Sequence, residues 1–179
     1  MIKYVALLRG INVGGKNLIK MDALCSEFEK AGFQSVKTYI QSGNVIFQSG
    51  LTDKVEVEKK IEKFLSATFK YQARALVRSE KDIKNTINHF PVIFKNTEWK
   101  HNVIFLSDII DSKKILQKLE TKKEIEENSY YKGVLFWSAK MDKITRSNML
   151  KLSSKKEYYQ EMTVRNINTT RKILELMGD

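Results

Sequence analysis

The residues most capable of chemistry sit near the start of the chain, in Arg9-Gly10-Ile11-Asn12-Val13-Gly14-Gly15-Lys16-Asn17, where three glycines fall within six positions. Backbone amides freed by Gly14 and Gly15 can approach an anion closely, and Arg9 and Lys16 bring positive charge to it. Gly10, four residues, Gly15 and Lys16 follow the phosphate-cradling pattern G-x-x-x-x-G-K-[ST] up to its last position. There Asn17 replaces the hydroxyl that would bind magnesium. The plainer reading is a tight loop that needs positive φ; three glycines exceed what an ordinary strand-to-helix turn requires, so the stretch is expected to contact a ligand.

Three further stretches carry candidate groups. Thr38-Tyr39-Ile40-Gln41-Ser42-Gly43-Asn44 reads as a hairpin, with Ser42 and Asn44 at the end of its sheet. Residues 140–156 hold six basic residues and one acidic, and Arg146 falls at a helix start, where dipole and free amides favour anions. In Thr163-Val164-Arg165-Asn166-Ile167-Asn168-Thr169-Thr170-Arg171, Arg165 and Asn166 precede another helix and suit a phosphate or carboxylate. Capping alone would also explain the asparagines and threonines, and a solvated cationic face would explain the lysines. His89 and His101 are isolated, without zinc-ligand spacing, and Cys25 falls on an apolar helix face. Trp99 and Trp137 can pack or stack. No nucleophile elbow, zincin motif or paired-carboxylate constellation is present, so no catalytic residue, cofactor or metal is assigned.

The elements that must position these groups follow from periodicity. Residues 2–8 read as a buried strand. Met21, Leu24, Cys25, Phe28 and Ala31 share a helical face, and strands flank Ser42-Gly43. Asp53 is placed to cap a helix carrying Val57, Ile61, Phe64 and Leu65, and a strand near 72–79 follows. The order β-α-β-β-α-β is the ferredoxin-like arrangement. Its antiparallel hairpin is foreign to the parallel units of P-loop domains, which argues against a nucleotide hydrolase. The second half repeats the plan: a linking helix from Ser79, a strand at 101–107, a helix within 111–120, and strands around Lys132-Gly133. A short helix near 147–153, a stretch 163–166 and a last helix capped by Asn168 complete it. The expected fold is α+β with two ferredoxin-like (α/β-plait) halves, residues 1–80 and 81–179, the second with an extra helix.

The 179 residues are 42% hydrophobic, enough for a core, and no apolar run approaches the ~20 residues that span a bilayer. One cysteine excludes an intrachain disulfide and fits a reducing cytoplasm. The net charge is +11, spread over both halves and mostly lysine. Such a surplus favours anionic partners, or merely solubilises the surface.

Three blocks together resemble a bacterial family, the domain of unknown function 1697: Leu7–Asn17 (LLRGINVGGKN), Thr38–Asn44 (TYIQSGN) and Arg165–Thr169 (RNINT). The family's last block carries tryptophan where this chain has Ile167, which removes a ring from that position. The resemblance implies a two-part α/β-plait structure and no particular activity. The expected function is cytoplasmic binding of a phosphate-bearing or other anionic ligand, a nucleic acid or nucleotide, with no membrane partner. Arg9, Asn12, Gly14, Gly15, Lys16, Ser42, Asn44, Arg146, Arg165 and Asn166 are the candidate ligand contacts. The alternatives are an enzyme acting on a small phosphorylated or acidic metabolite and a protein-interaction module.

Overall fold

The computed structural model describes residues 1–91 and 97–178. The chain runs β1 (Ile2–Arg9), α1 (Met21–Lys30), β2 (Gln34–Tyr39), β3 (Asn44–Ser49), α2 (Lys54–Phe69) and β4 (Arg74–Ser79). It continues as α3 (Glu80–Asn88), β5 (Trp99–Leu106), α4 (Ile115–Lys118), β6 (Glu126–Tyr131) and β7 (Val134–Lys140). Two 3-10 segments (Met141–Arg146, Asn148–Ser154), α5 (Lys156–Tyr159), β8 (Met162–Asn166) and α6 (Ile167–Gly178) close it. The strands form two antiparallel four-stranded sheets, ordered β2-β3-β1-β4 and β6-β7-β5-β8. The protein is therefore α+β, with two similar halves of β-α-β-β-α-β type. Its compact units are Met1–Lys84 with Lys172–Asp179, and Asn85–Arg171.

In the first unit, the inner strand β1 is buried from Tyr4 to Leu8, which accounts for its unbroken apolar run. Tyr4, Ala6 and Leu8 face the helices with Val45, Phe47, Ala75 and Val77, as the period of two requires. Leu24 and Phe28 of α1 and Val57, Ile61 and Leu65 of α2 cover them. Phe28, Phe33, Phe47 and Phe64 form an aromatic cluster, the Phe33 and Phe47 centroids 4.6 Å apart. Asp53 caps α2, its Oδ1 accepting the Val55 amide at 2.8 Å. Ser79 and Asp82 form a reciprocal capping box at α3: each side chain accepts the other's backbone N–H, at 3.0 and 3.2 Å. Lys3 Nζ donates to the Met177 carbonyl near the end of α6.

The second unit packs Ile104, Leu106, Leu135 and Trp137 of its sheet against Ile115, Leu119, Leu152 and Met162. Two local expectations change and one gains detail. The helix placed within 111–120 is one turn, Ile115–Lys118. The short helix expected near 147–153 is present and is of 3-10 type, its start held by the buried Glu126 carboxylate, which accepts from the Ser147 hydroxyl and the Met149 amide. The cap of the last helix is Asn166, not Asn168. The strand β8 runs straight into α6, and Asn166 Oδ1 accepts the Asn168 amide at 2.8 Å.

Candidate functional site

The glycine stretch folds into a miniature hairpin. Val13 and Lys16 pair across a two-residue turn in which Gly14 and Gly15 both have positive φ, 59° and 74°. That is the combination a type I′ turn demands, and glycine supplies it without steric cost. A Cβ on either glycine would meet nothing within 4 Å, so the backbone geometry, not a close approach, requires them. The base of the finger is tied by Asn12. Its Nδ2 donates to the Ile19 carbonyl (3.1 Å) and the Gln41 carbonyl (3.0 Å), and its Oδ1 accepts the Ile19 amide (2.8 Å). Asn17, itself at positive φ, returns a bond from Nδ2 to the Gly10 carbonyl.

The first two blocks do come together. Besides the Asn12–Gln41 bond, Leu8 N–H donates to the Gly43 carbonyl. A Cβ on Gly43 would lie 2.8 Å from Ile11 Cδ1 and 2.9 Å from Leu8 Cβ. Asn44 is fully buried and donates to the Tyr39 carbonyl and to Ser42 Oγ, which is how the exposed Ser42 is held. Arg9, at the end of β1 opposite Arg74, is partly exposed, and Lys16 is exposed.

The other three candidates belong to the second unit. Arg146 is exposed, and its carbonyl accepts from Lys122 Nζ. Arg165 is buried in β8, its Nη1 donating to Thr163 Oγ1 (2.9 Å) and the Val164 carbonyl (2.8 Å). Asn166 reaches a cleft.

That cleft, about 670 Å³ in volume, is lined by Phe90, Trp99, Lys100, His101, Asn166 and Arg171, with Thr97, Met141, Ile167 and Asn168. The size is that of a small-molecule site. Antiparallel pairing of β5 with β8 sets Asn102 opposite Asn166, which brings the start of β5 to the start of α6. His101 Nδ1 lies 2.7 Å from Ser138 Oγ, and its ring stands edge-on to Phe90. The Arg171 guanidinium lies over the Phe90 ring at 5.7 Å, and Lys140 Nζ over Trp99 at 5.6 Å. Rings, Lys100, the Arg171 guanidinium and the N-terminal turn of a twelve-residue helix thus share one concave surface. Of the ten sequence candidates, Asn166 alone lines it. Phe90, Lys100 and Arg171 were not singled out, and His101 looked isolated because its neighbours are supplied by strand pairing. The signal that finds them is the β5–β8 register.

A cavity of equal volume in the first unit is lined by Lys3, Lys54, Lys81, Lys84, Glu80 and Asp82, among others. Its acidic centre is committed to structure: Asp82 caps α3 and accepts from Lys54. Trp137 is buried and serves the core. Among the described residues no group of His, Cys, Asp and Glu could hold a metal ion, and no helix is long and apolar enough to cross a membrane.

The two sheets with their covering helices define a tandem α/β-plait protein. The chain belongs to the family described as protein of unknown function (DUF1697), whose model matches residues 1–137; the block Arg165–Thr169 lies beyond that match. No curated protein matches the sequence. A solved structure, that of the conserved bacterial protein SP0830 from Streptococcus pneumoniae, is similar over 98% of both chains, with 27% identity and a TM-score of 0.84.

Proposed function

We propose that this protein binds a ligand combining a planar ring with a phosphate, a nucleotide or a single-stranded nucleic-acid segment, in the cleft between the start of β5 and the start of α6. The observation that carries the reading is the meeting of Trp99, Phe90 and His101 with Arg171, Lys100 and the first turn of α6 in one cleft. A ring stacks on the aromatic wall while guanidinium and helix amides take the phosphate. The net charge of +11 raises the local concentration of any such anion.

The test is fluorescence anisotropy with labelled single-stranded RNA and DNA, duplexes and a fluorescent mononucleotide, across a salt series. Trp99→Ala should weaken binding by roughly 5- to 100-fold, the loss of about one stacking contact. Arg171→Ala should flatten the salt slope by about 0.7, one single-strand phosphate contact. Arg9→Ala, in the other unit, should leave both unchanged. No binding near physiological salt, or binding indifferent to Trp99 and Arg171, overturns the reading.

A further inference from the structure

Trp137 poses a separate problem. It is 1% exposed, and its Nε1–H, fully buried, has no hydrogen-bond partner among the described residues. A buried donor left unpaired is costly, and native structures almost always provide an acceptor. Trp137 lines a small cavity of about 90 Å³, distinct from the cleft above. One water needs roughly 10–15 Å³ of such space, so the cavity is large enough for a small organic molecule.

Its lining is divided by chemistry. Leu119, Leu152 and the Trp137 ring supply apolar surface, and Asn148, Lys151 and Lys155 supply donors and positive charge. Asn148 Nδ2 makes a long 3.4 Å bond to the Glu120 carbonyl and keeps a second N–H. Lys155 Nζ donates to the Lys118 carbonyl at 2.7 Å and keeps its charge. Two lysines against the one carboxylate that also lines the cavity, Glu120, leave a surplus of one positive charge. That balance suits a monoanion better than a dianionic phosphate.

We propose that this cavity binds a small monocarboxylate with a short apolar tail. One carboxylate oxygen accepts the Trp137 Nε1–H, Lys151 and Asn148 face the other, and the tail lies against Leu119 and Leu152. The site is independent of the aromatic cleft and does not need it to be correct.

The chain has only two tryptophans, so its ¹H–¹⁵N spectrum carries two indole signals, and Trp99→Phe identifies them. Propionate is titrated through the millimolar range, with sodium chloride at matched ionic strength as control. The Trp137 indole signal should move downfield and saturate while the Trp99 signal stays in place. Lys151→Gln, at an exposed position, should weaken the propionate constant about threefold. In Trp137→Phe, checked for folding by circular dichroism, the calorimetric heat of propionate binding should vanish. Overturning results are an unmoved Trp137 signal, a shift reproduced by chloride, or propionate heat undiminished in Trp137→Phe. Any of these leaves the cavity as a water site.

Discussion

Asn12 illustrates how one side chain can hold a loop. Its carboxamide serves three backbone groups, at Ile19 twice and Gln41 once, while its own backbone sits at φ 53°. Asparagine tolerates that left-handed conformation better than alanine does. Asn12→Ala should therefore cost about 2–4 kcal/mol, from the lost bonds and the added strain. Asn12→Gly should recover the strain part, roughly 1–2 kcal/mol, but not the bonds. Urea denaturation of the pair separates the two effects. Tyr130 makes a second residue-scale case. Burial first, then its hydrogen bond and charge contact with Asp111, push its phenol up to about 12. The folded pKa lies above the unfolded one, so the stability Tyr130 contributes is fully present below about pH 10 and is lost as pH rises toward about 12. Tyr130→Phe should shallow that alkaline decline, measured as denaturation midpoint against pH.

Among the elements, β4 is one of the strands that end a sheet. An edge strand offers free N–H groups to other chains. Here α2 covers them: Glu58 Oε1 accepts the Val77 amide at 2.7 Å, and Glu62 Oε1 accepts the Ala75 amide at 3.1 Å. The spacings agree, since i,i+4 on a helix matches i,i+2 on a strand. Glu58→Ala should cost about 1–2 kcal/mol and bring concentration-dependent self-association, read by analytical ultracentrifugation. The local devices of these elements were legible in the sequence where each depends on a few adjacent residues, as with the Asp53 cap; the hairpin expected around Ser42-Gly43 is present, but its loop is the longer stretch 40–43, with Ile40 at φ 50°. Positive φ at Gly14 and Gly15 was legible too, but the finger closed by Asn12 was not, since its partners Ile19 and Gln41 lie 7 and 29 residues away. The cap at Asn166 was missed by two positions because nothing local announces a strand that passes into a helix without a loop. The cleft was hidden for a similar reason. His101 and Arg171 meet only through the β5–β8 register, and Arg165, attractive as a free cation in the sequence, turns inward to Thr163.

At the scale of the whole molecule, charge competes with the cleft as an explanation of binding. The chain carries +11, and ion pairs among the described residues engage Lys30, Lys54, Arg74 and Lys172. A net charge of this size attracts any polyanion, and this nonspecific attraction falls steeply with salt. Stacking on Trp99 is a contact between neutral rings and does not release counterions. The two contributions must therefore separate along a salt axis. At about 50 mM salt, wild type and Trp99→Ala should bind single-stranded nucleic acid with nearly equal slopes of log affinity against log salt. Their absolute affinities should differ by a constant factor, because removal of the ring takes away only the salt-independent part. By about 200 mM the charge contribution has fallen by roughly 300-fold or more for six or more single-strand phosphate contacts. Residual binding there should remain weaker in Trp99→Ala by that same factor. Heparin, which has charge but no stacking base, should bind both proteins alike at every salt. If Trp99→Ala instead changes the slope, or weakens heparin equally, Trp99 acts through the lysines around it, and the cleft is part of a diffuse cationic face.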